Sequence, residues 1–354
     1  MLAPFPWFGG KRKVAPEVWA ALGDVDNYVE PFAGSLAVLP ERPAWHNGAA
    51  ETVNDADQYL ANFWRALSID PDAVAQHADW PVNEADLFAR HMWLVNEGRR
   101  QLADGMNAAP DWYDAKIAGW WLWGICQWIG SGWCSGTGPW SVQDGKLVHL
   151  GNAGQGVNRK LVHLGDAGRG VNRQLVHLGN AGQGVNRKLV HLGDAGRGEV
   201  VIPRNEALFE YMRQLAARLR SVRVVCGDWA RVVTNGALSY GATVGVFLDP
   251  PYSADADRDE TLYSTDDLNV AHDVRAWCLA NGENPRYRIV MAGYEDEHAP
   301  HMPQTWRMVA WKANASFQSS HATGKNQENR HKERLWLSPH CLRPAPSLFE
   351  MAAD

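Results

Sequence analysis

Cysteine is scarce: Cys126, Cys134, Cys226, Cys278 and Cys341 are the only five in 354 residues. They form no CxxC pair and keep no ligand-like spacing to histidine. That excludes a disulfide framework and a structural zinc, and fits reduced thiols in a cytoplasmic protein that needs no metal. The opening residues, Met-Leu-Ala-Pro-Phe-Pro-Trp, lack the charged-then-apolar layout of a secretory signal. The longest apolar stretch, Ile117 to Ile129, is broken by glycine and Gln127 and is too short to span a bilayer. No GxxxxGKS/T loop occurs, so nothing calls for a nucleotide triphosphate.

What remains is ordinary for a globular enzyme, with 45% hydrophobic and 21% charged residues. Tryptophan is the exception at 18 copies, which suits either a large core or stacking on bases. The net charge is −6, yet Lys146 to Gly198 carries eight Lys/Arg against two Asp. That segment is therefore at +6 and the rest of the chain at −12, an asymmetry that points to a polyanion.

The same segment is a tandem repeat with a period of 14 residues, KLVHLGNAGQGVNR alternating with KLVHLGDAGRGVNR over 146–200. Each copy reads as a short apolar strand, a Gly-rich turn and a short polar strand; disorder is the other reading. His149, His163, His177 and His191 recur with it, by duplication rather than as a metal ladder. Upstream, helical spacing follows Asp57, Asn83 (to about Leu102) and Asp111, the last helix carrying Ile117, Trp120, Trp121 and Trp128. These stripes read first as core. Downstream, Asn205 is placed as the cap of a helix. Strands are expected at Tyr28–Glu30, Val222–Cys226, Thr243–Leu248, Tyr287–Met291, Met308–Trp311 and Arg334–Leu337, with a helix over Asp266–Asn281. Alternating strands and helices predict an α/β sheet covered on both faces. The expected division is 1–59 and 201–340 as one catalytic domain, 60–200 as an insertion and 341–354 as a tail.

The chemistry gathers at strand ends. Asp249-Pro250-Pro251-Tyr252 follows an apolar strand, where open α/β sheets bind ligands. An adenine amine is a weak nucleophile because its lone pair is delocalised. The Asp249 carboxylate and the Pro250 carbonyl offer acceptors for its two protons. Pro251 fixes Pro250 in an extended conformation, and Tyr252 can stack on an extracted base. Asp249 is read as an exposed site group; a plain Pro-rich turn is the bland alternative. Glu30-Pro31-Phe32-Ala33-Gly34-Ser35 forms a strand-to-helix turn with one glycine for close backbone approach. Val53-Asn54-Asp55 offers a carboxylate to ribose hydroxyls, or equally caps a helix. Trp7-Phe8-Gly9-Gly10-Lys11 offers a cation to a carboxylate, and Cys226-Gly227-Asp228-Trp229 an acceptor and a ring to an adenine. Lys325–Arg334 is a basic stretch suited to phosphates or to a solvated loop.

In this order the motifs resemble the Dam-type (alpha-group) DNA adenine methyltransferases with their DPPY motif, over about residues 5–338. Phe8, where a small residue is usual, and Ser35, where glycine often follows, depart from the pattern without removing a needed group. The resemblance implies a Rossmann-like methyltransferase sheet and S-adenosylmethionine (SAM) as methyl donor. It implies a flipped adenine as acceptor and the 60–200 segment as the target-recognition part of a monomer acting on duplex DNA. Trp7, Phe8, Gly9, Gly10, Lys11, Glu30, Pro31, Phe32, Gly34, Asp55, Asp228, Trp229 and Asp249 are then the SAM site, and Asp249, Pro250, Pro251 and Tyr252 hold the adenine. The rival readings are the same chemistry on RNA, cytosine or a protein amide, and a repeat-based DNA-binding protein with an inactive core.

Overall fold

The computed structural model describes residues 1, 3–7, 11–43, 48–109, 111–128, 133–134, 140–143, 146–149, 204–251, 269–311 and 333–343. A short 3-10 turn at Lys11–Lys13 leads into α1 (Ala15–Leu22), whose first turn carries Pro16. β1 (Asn27–Glu30) and β2 (Ala50–Asp55) follow. Five helices and a π turn come next: α2 (Gln58–Ile69), α3 (Pro71–Ala78), α4 (Glu84–Trp93), the π turn at Leu94–Gly98, α5 (Arg99–Ala108) and α6 (Ala115–Gln127). β3 (Trp140–Gln143) and β4 (Lys146–His149) pair as a separate antiparallel ribbon. After α7 (Arg204–Leu219) come β5 (Val222–Cys226), β6 (Val244–Leu248), α8 (Val270–Asn281), β7 (Tyr287–Tyr294), α9 (Glu295–His298), β8 (Arg307–Ala310) and β9 (Glu333–Leu337).

Seven strands form one sheet in the order β5-β2-β1-β6-β7-β9-β8. β5, β2, β1, β6 and β7 are parallel, and β9 runs antiparallel to both its neighbours. Alternation along each strand sorts side chains to two cores. Tyr28, Val53, Phe247 and Val290 face the core shared with α1, α2, α3, α6 and α7. Val29, Val246, Leu248, Ile289 and Met291 face the other, covered by α8 through Val274 and Cys278. A mostly parallel sheet buried on both faces, with one antiparallel strand, is a mixed α/β architecture. Helices of the 60–127 stretch thus share a core with the sheet.

Several elements differ from the sequence expectation. The N-cap of α6 is Asp114, not Asp111: its carboxylate accepts from Ile117 N at 2.7 Å. Asn62 fixes this start by exchanging two hydrogen bonds with the Asp114 backbone, 2.8 and 2.9 Å. Trp128 lies just past α6 and stacks on His91 with centroids 4.6 Å apart. Asn83 does cap a helix, accepting from Asp86 N at 2.7 Å, but the π turn interrupts it and the helical run continues to Ala108. α7 begins at Arg204, so Asn205 lies inside it rather than capping it. β2 was not anticipated because its residues are polar. Its Glu51 is buried by ion pairs to Arg42 (3.1 Å) and Arg218 (2.7 Å), which replace the apolar signal of an inner strand. Within the first repeat, residues 146–149 are the expected strand; 150–200 lie outside the described residues. No described helix is long and apolar enough to cross a membrane.

Candidate active site at the carboxyl edge of the sheet

From β1 the chain passes outward to β2 and then β5, whereas β6 and β7 lie on the other side of β1. The order reverses between β1 and β6, and the crevice beyond that point is where open α/β sheets hold ligands. The turns after β1, β2, β5 and β6 carry Pro31–Gly34, Asp55, Gly227–Asp228 and Asp249. The structure therefore brings four separated motifs to one edge.

The first three turns are fastened together. Asn54 Nδ2 donates to the Pro31 carbonyl (3.0 Å) and to the Gly227 carbonyl (2.9 Å). Ala33 N donates to Asn54 O at 2.8 Å and Gly227 N to Asp55 O at 3.0 Å. The Asp55 carboxylate accepts from Gly34 N and Asp57 N, both at 2.9 Å, which fixes its plane. Burial, with the neighbouring Asp57 charge, pushes its carboxyl up to about 7. Gly34 has φ +47°, and a Cβ there would stand 2.8 Å from Trp7 Nε1, so only glycine lets the indole lie against this turn. Its carbonyl accepts from Trp64 Nε1 at 3.0 Å. Phe32 and Trp229 stack with centroids 6.1 Å apart. Asp228 is exposed and holds Ala230 N at 2.8 Å.

The second half of the site centres on Asp249. It is not the freely exposed group expected. Its side chain is 21% accessible, and Oδ1 lies 3.0 Å from Lys11 Nζ, because the 3-10 turn packs over the end of β6. Burial raises its carboxyl above the usual range; Lys11 opposes this and Glu333 adds to it. The Lys11 ammonium is itself buried and also lies 3.6 Å from Glu333 Oε2. Pro250 is buried and Pro251 half-buried. Glu30 turns inward, where Tyr28 Oη donates to its Oε2 at 2.9 Å. Burial pushes Glu30 up to about 8, with the Asp249 charge contributing. Phe8, Gly9, Gly10 and Tyr252 lie outside the described residues.

Sequence reasoning missed two groups. Glu333 sits in a stretch read as basic, and no local pattern marks it. Asn54 was noticed only as the neighbour of Asp55, yet it is the node that joins three turns.

A carboxylate fixed by amides after β2, a tight glycine turn after β1 and aromatic rings beside both suit an adenosine-bearing ligand. Asn54 Oδ1, buried without a protein donor among the described residues, fits the same purpose. This mixed α/β sheet with this edge is consistent with a SAM-methyltransferase-like fold. Residues 7–99 match the family model of the D12 class N6 adenine-specific DNA methyltransferases. That match carries the activity, that of a site-specific, SAM-dependent adenine DNA methyltransferase. No curated protein matches it.

Proposed function

We propose that the chain is a Dam-type, alpha-group enzyme in which Asp249-Pro250-Pro251-Tyr252 holds the target adenine and the turns after β1, β2 and β5 hold SAM. The observation that carries the reading is the place of Asp249: at the end of β6, beside the strand-order reversal, with its carboxylate oriented by a buried lysine.

Asp55, held by two backbone amides, keeps lone pairs for the ribose hydroxyls. Trp7 and Phe32, Pro31 and Gly34 shape the cradle, with Glu30 buried behind it. Asp228 and Trp229 suit the amino group and face of the adenine ring of the cofactor. Phe8, Gly9 and Gly10 precede Lys11, which supplies the cation at this end of the site. SAM, when bound, supplies an electrophilic methyl group and a neutral thioether leaving group.

The target adenine leaves the duplex at an unstacking cost of a few kcal/mol. The Asp249 carboxylate and the Pro250 carbonyl each accept a hydrogen bond from one amine N–H, which localises the lone pair on nitrogen. A carbon–nitrogen bond forms as the carbon–sulfur bond breaks, and the surplus proton passes to solvent. Tyr252 stacks on the extracted base. Catalysis is chiefly positioning. The 60–200 segment, with its repeats, serves target recognition, and the enzyme works as a monomer.

The test is transfer of a tritiated methyl group to duplex DNA by wild type and Asp249→Ala. The variant should lose roughly a hundred- to a thousandfold in turnover, the range for removing one preorganised polar group, and nucleoside digestion should recover the label in N6-methyladenine. Turnover above a tenth of wild type would remove Asp249 from the chemistry. Label in RNA, cytosine or protein would move the substrate.

A further inference from the structure

β9 runs against every other strand of the main sheet whose pairing bears on the site. Its first residue, Glu333, is therefore delivered to the edge where the parallel strands end, paired with Tyr294 at the close of β7. Asp249 follows β6, on the far side of β7. Neighbouring strands are about 4.8 Å apart, so roughly 10 Å separates the two strands that carry these carboxylates. Lys11 spans the gap, 3.0 Å from Asp249 Oδ1 and 3.6 Å from Glu333 Oε2. Lys11 is 3% and Glu333 7% exposed, and the ammonium lies 5.6 Å from the Trp311 ring centroid.

An ammonium has three donors and, away from water, a strong pull toward any carboxylate. With Asp249 as its sole anion, Lys11 would close on it and take up acceptor capacity that the amine needs. Glu333, on the other side, draws the ammonium back.

We propose that Glu333 is a positioning residue for methyl transfer, holding Lys11 at Oδ1 of Asp249 so that Oδ2 is left as the acceptor for the adenine amine. This rests on the reading of Asp249 as the amine-holding group. Among the described residues, the charged groups facing Asp249 are Lys11 from the 3-10 turn, Glu333 from β9 and Glu30 from β1. Glu333 favours the protonated form of Asp249 and Lys11 disfavours it.

Glu333→Gln keeps the shape and removes the charge. The kcat is measured against pH at saturating SAM and duplex DNA, with SAM affinity by calorimetry. On the plateau kcat should fall roughly ten- to a hundredfold, as for a misplaced catalytic group. The acid limb should move down by about one unit, because Asp249 loses a neighbouring negative charge. SAM affinity should stay near wild type, and Glu333→Asp should recover part of kcat. In a Lys11→Met background, assayed by single turnover, Glu333→Gln should cost no further turnover, because no ammonium is left to hold. The acid limb should still move down there through the direct charge effect.

An unmoved acid limb in Glu333→Gln overturns the proposal even if kcat falls, since a merely structural role predicts that result. So does a further loss of turnover in the Lys11→Met background. If Glu333→Gln does not fold, the double variant against Lys11→Met decides alone: matching single-turnover rates support the proposal and a further loss overturns it. Asp249→Ala is run alongside. An active Asp249→Ala removes the Asp249 reading and this proposal together. An inactive one, with Glu333→Gln like wild type, removes this proposal alone.

Discussion

Asn54 reaches Gly227 across the edge of the sheet, its Nδ2 donating to the Gly227 carbonyl at 2.9 Å. The same nitrogen donates to Pro31 O at 3.0 Å, and the residue is 1% exposed. One amide thus uses both protons to lock the turns after β1 and β5 to the end of β2. The cradle proposed for SAM is assembled by this node before any ligand arrives, which lowers the ordering cost of binding.

Asn54→Ala should therefore weaken the fold and the site together. The buried Pro31 carbonyl and the partly buried Gly227 carbonyl lose their donor, a cost of about 1–3 kcal/mol for a buried group left unsatisfied and less where water can reach. Denaturant melts should show the loss, and calorimetry should show weaker SAM binding. Normal SAM affinity in a destabilised Asn54→Ala would separate the node from the cofactor site.

Gly34→Ala tests the turn itself. Its φ of +47° and the 2.8 Å approach of Trp7 Nε1 to a Cβ make the substitution doubly unfavourable. The left-handed backbone alone costs an L-residue roughly 1–2 kcal/mol. The expected result is a lowered Tm and a loss of SAM affinity larger than the stability change explains, because Gly34 N also orients Asp55. A variant that binds SAM like wild type would place the ligand away from this turn.

The raised carboxyls make stability and binding respond to pH in opposite directions. Burial favours the neutral forms of Glu30 and Asp55 in the folded chain, with values of about 8 and about 7. The ligand-free protein should be most stable at low pH, as far as these two groups decide. Stability should fall as pH rises from their ordinary carboxylate range through about 8, then level. Glu30→Gln should flatten the part of the Tm decline nearest pH 8. On the proposed reading the ribose hydroxyls of SAM donate to ionised Asp55, so affinity should tighten as pH climbs through about 7. Asp55→Asn should bind weakly and lose that dependence. A pH-independent Kd in wild type would take the ribose away from Asp55.

The strands and motifs that were legible share one property: local pattern decided them. β5, β6 and β7 are apolar runs, and Asp249 follows one of them in a distinctive tetrapeptide. Where long-range partners decide, the sequence was opaque. β2 hides its strand character because Glu51 is compensated by Arg42 and Arg218, one upstream and one 167 residues away. Asp114 rather than Asp111 caps α6 because Asn62 grips its backbone from another helix. Lys11 suited a cofactor carboxylate on sequence; its buried partners Asp249 and Glu333 come from strands β6 and β9 and appear only in three dimensions.

The 14-residue repeats carry the remaining prediction, argued from sequence because 150–200 lie outside the described residues. Identical copies present identical side chains, which suits a uniform phosphate backbone better than a varied run of bases. Deleting 160–187 removes two copies and joins Arg159 to Lys188 in frame. It takes away Lys160, Arg169, Arg173 and Arg187 with Asp166, a net loss of three positive charges. If those four bases meet phosphates, the slope of log affinity against log salt should fall by roughly two to four. The methylated sequence should not change, because the first and last copies and helices α2–α6 remain. DNA binding by the deletion variant is measured across about 50–200 mM salt, where phosphate contacts are lost. An unchanged slope would make the repeats an idle, duplicated loop. A changed methylation site would make them readers of bases, because only contacts that distinguish base edges can redirect an enzyme whose catalytic edge is untouched.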